Sequence, residues 1–156
     1  MAAKVKPIPE GFHTATPYLV VKGAAKAIDF YQAAFGATEI MRHADADGNV
    51  RHAEIRIGDS PIMMTDEFPK FPDWKSPLSR GGSPVHIHLY VEDADALFKR
   101  AIAAGAKELL APKNQFYGER IGGVTDPFGH VWYIATHIED VSAEELRKRA
   151  AAAGKG

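Results

Sequence analysis

The sequence predicts an α+β chain in which one βαβββ module is used twice, followed by a C-terminal helix. Three observations carry this reading. The string Gly36-Ala-Thr-Glu-Ile-Met41 returns as Gly105-Ala-Lys-Glu-Leu-Leu110. Each copy follows an amphipathic, Ala-rich segment that ends in glycine, and each of those segments follows an apolar strand.

The first module opens with the apolar run Tyr18-Leu-Val-Val21. A helix is expected from about Ala24 to Phe35, and Gly36 suits the left-handed residue that closes a helix. Arg51-His-Ala-Glu-Ile-Arg-Ile57 alternates polar and apolar residues, which marks a half-buried strand. Gly58-Asp59 then turns the chain into Pro61-Ile-Met-Met-Thr65.

The second module opens with Val85-His-Ile-His-Leu-Tyr-Val91. Asp93 is the expected N-cap of a helix from about Ala94 to Ala104, closed by Gly105. Ile121 to Thr125 leads into the turn Asp126-Pro-Phe-Gly129, where Pro favours the second position and Gly ends it. Val131-Trp-Tyr-Ile-Ala135 is the last strand. Ser142 and Glu145 have the spacing of a capping box for the final helix, with Arg147, Lys148 and Arg149 toward its C-terminal end and a frayed tail beyond.

These readings divide the chain into an extension (1–12), a first module (13–66), a linker or lid loop (67–83), a second module (84–138) and a C-terminal helix and tail (139–156). The 67–83 stretch is rich in Pro, Gly and aromatics and shows no period. Phe71 and Trp74 within it need cover from the core, a partner subunit or a ligand, with core or interface packing favoured.

Composition narrows function. The net charge of −1 lacks the basic surplus that nucleic acid or an acidic membrane surface demands. The chain has no cysteine, which excludes disulfides, thiolate nucleophiles and Cys-based zinc sites. Met1-Ala-Ala-Lys-Val-Lys-Pro7 lacks the apolar stretch of a signal peptide, and no apolar run has the length of a membrane span; the expected location is the cytoplasm. Gly81-Gly82-Ser83 lacks the Lys and the following helix of a phosphate loop, and there is no Gly-x-Ser-x-Gly elbow.

The segments Ala27-Ile-Asp-Phe-Tyr31 with Phe35-Gly36, and Val124-Thr-Asp-Pro-Phe-Gly-His-Val-Trp132, resemble the glyoxalase/bleomycin-resistance/extradiol dioxygenase (vicinal oxygen chelate) superfamily. His52-Ala-Glu-Ile-Arg-Ile-Gly-Asp-Ser60 and Phe116-Tyr-Gly-Glu-Arg120 resemble its PhnB-like subgroup. The resemblance spans residues 11–139. It implies two βαβββ modules forming a curved eight-stranded mixed sheet around a cavity, in a protein that commonly dimerises. Its enzymes carry four metal ligands on the concave face. Matched residue by residue, those positions hold Thr16, Met63, His86 and Tyr133. A divalent catalytic site needs about three His or carboxylate ligands, and here only His86 qualifies, so the usual metal site reads as lost.

Strand alternation selects the remaining candidates. His52, Glu54 and Arg56 share one strand face; His86, His88 and Tyr90 share another, while Val85, Ile87, Leu89 and Val91 should pack beneath the helices. Tyr18, Arg56, Met63, His86, His88, Tyr117, Arg120 and Tyr133 are the expected ligand-binding residues, and His52, Glu54 and His86 the candidate acid–base groups. Arg56 or Arg120 suits a carboxylate or phosphate, unless each pairs with its neighbour Glu54 or Glu119. The expected function is binding of a small organic molecule by a homodimer. The alternative is a lyase, isomerase or oxygenase that uses His/Glu acid–base chemistry or a divalent metal on the displaced set His52, Glu54, His86 and His88.

Overall fold

The computed structural model describes residues 5–154. Part of the expected extension and frayed tail lies outside that range. The chain forms two compact units, one ending at Gly82 and the other beginning at Ser83.

In the first unit, strands β1 (Tyr18–Val21), β2 (Thr38–Ala44), β3 (Val50–Ile57) and β4 (Ser60–Asp66) form one sheet in the order β1-β4-β3-β2. β1 runs parallel to β4; the other neighbours are antiparallel. Helix α1 (Ala24–Phe35) crosses between β1 and β2 and packs on all four strands. Ala27, Ile28, Tyr31, Ala34 and Phe35 recur at helical spacing and are all buried. Gly36 closes α1 in the left-handed region (φ 66°), as expected. Pairing of Ile57 with Ser60 confirms the Gly58-Asp59 hairpin.

The start of α1 is not capped by its own neighbourhood. Gly23 offers no side chain, and Asp66 at the end of β4 accepts hydrogen bonds from the N–H groups of Gly23 and Ala24 (both 2.8 Å) and of Val50 (2.8 Å). One carboxylate thus serves helix, sheet and hairpin.

Of the 67–83 stretch, residues 67–82 belong to this unit, and they are not wholly loop. Residues Pro77–Arg80 form a short helix, α2, which packs against β1. The buried Ser76 caps it, and Glu67 binds the Ser76 N–H (2.5 Å) and the Ser79 hydroxyl (3.0 Å).

The second unit repeats the plan: β5 (His86–Tyr90), α3 (Ala94–Ala104), β6 (Lys107–Asn114), β7 (Glu119–Thr125) and β8 (Val131–His137), in the order β5-β8-β7-β6. The register repeats as well, since Tyr18 faces Met63 and His88 faces Tyr133 across parallel pairs. Asp93 caps α3 through the Ala96 N–H (2.9 Å), and Thr136 accepts from the Ala94 N–H (2.9 Å). Asp126 organises its turn, accepting from the N–H groups of Phe128 and His130 and from Trp132 Nε1 (2.8 Å).

Two expectations fail here. Val85 is exposed, and Ile87, Leu89 and Val91 are only half-buried, because α3 packs mainly on β6, β7 and β8 rather than on β5. Helix α4 (Ala143–Ala153) runs one turn past its basic residues. They do not reach the C-terminal dipole; Lys148 pairs with Glu144, and Arg149 with Glu145 and Glu139. Ser142 caps the Glu145 N–H (3.2 Å), whereas the Glu145 side chain turns to Arg149.

Candidate functional site

Alternation on β3 resolves as expected. Ala53, Ile55 and Ile57 are buried beneath α1, while His52, Glu54 and Arg56 stand half-buried on the opposite, helix-free face. The pairings Tyr18–Met63, Met63–Glu54 and Glu54–Met41 form one row across that face. It therefore holds five of the sequence-derived candidates: Tyr18, His52, Glu54, Arg56 and Met63.

Three of these form a hydrogen-bonded chain. The Tyr18 hydroxyl lies 2.8 Å from His52 Nδ1, and His52 Nε2 lies 3.0 Å from Glu54 Oε1. A carboxylate only accepts, so Nε2–H donates to Glu54 and, in the neutral imidazole, Nδ1 accepts from the Tyr18 O–H. Partial burial, reinforced by the Glu54 charge, pushes the Tyr18 phenol above its ordinary value, so it keeps its proton and donates.

The aromatic segment after β4 closes over one end of this face. Trp74 meets the Tyr18 ring edge-on at 5.5 Å, and Phe71 lies 6.0 Å from Trp74. Phe68 is held by Arg51, whose guanidinium sits 4.7 Å from its ring centroid. Between strand face and segment lies a cavity of about 310 Å³ lined by Tyr18, Arg51, Thr65, Asp66, Phe68, Phe71 and Trp74. Trp74 and Phe71 remain 48% and 46% exposed, so in this chain they wall a hollow rather than fill a core. Sequence reasoning favoured core or interface packing for them. Spacing alone carried no signal for this placement, because the segment has no period.

Arg56 makes no hydrogen bond or ion pair with any described residue; Glu54, its expected partner, is engaged by His52. Arg120 differs. It grips Asp95 of α3 through Nε and Nη2 (2.5 and 2.8 Å) and reaches Asn114 through Nη1 (3.0 Å). Arg120 therefore lies on the helix side, apart from His86, His88 and Tyr133, and its partner is Asp95 rather than Glu119. Alternation with Glu119, which takes the opposite face, carried that information in the sequence.

The helix-free face of the second unit gathers His86, His88, Tyr90, Glu119 and Tyr133. The His86 and Tyr133 rings are 5.4 Å apart, and His88 stacks on Tyr133 at 6.5 Å. Tyr90 donates to Glu119 (2.6 Å), and this bond raises its phenol above the ordinary range. Burial, with Glu119 and Tyr133 nearby, does the same for Tyr117. Glu119 was missed as a face residue in its own right. His88 Nε2 is 3.9 Å from it.

The superfamily's metal positions do not fit a hard divalent ion. Thr16 and Met63 in the first unit offer a neutral hydroxyl and a thioether, and in the second unit His86 is accompanied by a phenol. Among the described residues, no group of three or more His, Asp or Glu is placed to hold a metal ion.

Residues 12–134 match the family model of the Glyoxalase/Bleomycin resistance protein/Dioxygenase superfamily. The chain belongs to this superfamily. An uncharacterized protein of Mycobacterium tuberculosis, Rv0887c, is 43% identical over 143 residues, covering 90% of this chain and 84% of that protein. Among solved structures, a PhnB protein from Bacillus cereus aligns with a TM-score of 0.62 at 18% identity, over 80% of this chain and 99% of its own. The fosfomycin resistance protein FosX from Listeria monocytogenes, solved with Mn(II) and a dihydroxypropylphosphonic acid, aligns at 0.61 and 20% identity over 88% and 97%. The superfamily member described here thus shares its fold with a protein solved with Mn(II).

Proposed function

We propose that this superfamily member binds a small organic molecule without a metal, on the helix-free face of its first unit, as a homodimer in the cytoplasm. The observation that carries the reading is the aromatic-walled cavity beside Tyr18. Its volume of about 310 Å³ is at the lower end of ligand pockets, and its walls combine apolar rings with a few polar groups. The metal-free aspect rests on the donor chemistry of Thr16, Met63, His86 and Tyr133. Support for a dimer comes from Tyr90 on the edge strand β5 and Val85 just before it, 65% and 66% exposed. No helix among the described residues is long and apolar enough to cross a membrane.

The two tryptophans make the test direct. Trp132 is fully buried and Trp74 lies at the cavity. A small-molecule library screened by fluorescence and thermal shift should yield ligands that change Trp74 emission at one site per chain, unaffected by chelator. Emission of the Trp74→Phe variant should not respond. Stoichiometric metal that is required for turnover would overturn the reading; a single-chain mass in sedimentation would remove the dimer.

A second reading has its own observation. The chain Tyr18–His52–Glu54 puts a carboxylate behind an imidazole, and a substrate hydroxyl that takes the place of the Tyr18 hydroxyl at His52 Nδ1 would meet a general base. It predicts turnover that falls at least about a hundredfold in His52→Ala, in line with the usual contribution of a general base. Binding without turnover across thiol adducts, catechols and epoxides would remove it.

A further inference from the structure

The two strand-face arginines of similar sequence context have opposite fates, and the difference points to ligand chemistry. Arg120 is saturated by Asp95 and Asn114. Arg56 is half-buried on the face that carries the cavity, and no described residue hydrogen-bonds or ion-pairs with it. A guanidinium cannot relieve this by losing its proton. Its fork presents donors in a geometry that matches a carboxylate or phosphate.

The guanidinium also packs against backbone at Gly11. The N-terminal stretch turns over it at Pro9–Phe12, where the Phe12 N–H reaches the Pro9 carbonyl at 3.1 Å. Gly11 sits at the tip with φ 80°, and a Cβ there would stand 2.9 Å from Arg56 Nη2. Glycine lets the backbone lie flat along one flank of the fork. Arg56 is four strand positions from His52, which places their Cα atoms about 13 Å apart along β3.

We propose that Arg56 is an anion subsite, and that the ligand of this face is an amphipathic acid. An apolar or aromatic body lies against Tyr18 and Trp74, and an anionic oxygen head group, carboxylate or phosphate, reaches Arg56. The inference rests on the binding function proposed above and adds the ligand's class.

The test uses the full chain and ω-phenylalkanoates of increasing length, each beside its neutral primary amide and the matching phenylalkyl phosphate, titrated by calorimetry. Acids should bind about tenfold or more tighter than amides, the difference a charge-assisted fork contact supplies. 4-Phenylbutyrate and 6-phenylhexanoate should bind better than phenylacetate, which is too short to bridge. Arg56→Gln should bring the acid down to the amide's affinity, Arg56→Lys should retain part of the preference, and Arg120→Gln should retain all of it. Trp74→Ala should weaken acid and amide by the same factor. The preferred head group, planar or tetrahedral, distinguishes carboxylate from phosphate sources. Amides that bind as well as acids, or an acid preference that survives in Arg56→Gln, would overturn the anion subsite while leaving the binding function standing. Failure of every probe to bind would overturn both. Should Arg56→Gln fail to fold, the acid–amide difference in the wild-type chain, and its loss in high salt, decide the matter.

Discussion

The two units share a plan and a register but handle their helix-free faces differently. On the middle strand of the first unit, Ala53 looks toward the helix and Glu54 toward the open face; the matching pair in the second unit is Gly122 and Gly123. Those glycines admit rings. A Cβ on Gly122 would meet Phe98 at 2.8 Å, and one on Gly123 would meet Tyr133 at 3.1 Å. The second unit therefore lays an aromatic ring where the first keeps a carboxylate bound to His52. The helices differ in the same sense. α1 buries seven residues and covers its whole sheet, whereas α3 buries three and leaves β5 half-exposed. The two units keep one hydrogen-bonded frame, while their open faces differ: an aromatic-walled hollow beside a His–Glu pair in the first, a ring-covered surface in the second.

Substitutions can break this comparison in order of expected effect. Trp132→Ala removes a fully buried ring and its hydrogen bond to Asp126; the expected loss is about 3–5 kcal/mol in chemical denaturation. Asp66 and Thr136 occupy matching posts at the start of each helix. Asp66→Ala strips three N–H groups of their acceptor and should cost about 2–3 kcal/mol, against about 1 kcal/mol for Thr136→Val. Equal losses would mean that the two helix starts depend on these posts alike. Gly123→Ala should cost about 1 kcal/mol by lifting the Tyr133 ring.

The smallest effect is local and depends on pH. Burial alone would raise the Glu67 carboxyl, but hydrogen bonds from Ser76 and Ser79 outweigh it and hold the group below its ordinary value. A carboxylate lowered in the folded state stabilises above its unfolded value and loses that contribution as pH falls through the folded one. The aromatic segment should therefore stay anchored through the ordinary carboxylate range and loosen only as the pH falls below it. Trp74 emission should report that change on acidification, and Glu67→Gln should show the loosened signal already at neutral pH.

Much of the fold was legible because its determinants are local. Gly36 and Gly105 ended their helices, Asp93 and Ser142 capped theirs, and Asp126-Pro-Phe-Gly129 turned as its residues require. The candidate site was legible only as faces. Alternation placed His52, Glu54 and Arg56 together, yet the expected use of Arg120 failed because its partner, Asp95, lies 25 residues away on a helix.

What the amino-acid order determined on its own is the repeated βαβββ plan and which side chains share a strand face, since helical and strand periods and turn chemistry act within a few residues. Tertiary packing alone decided which strand arginine pairs with no described residue, that Trp74 walls a cavity, and that Asp66 starts a helix 42 residues before it. Those outcomes depend on contacts between segments far apart in the chain, and no local pattern encodes how a charge or a ring will be met once the sheet has formed.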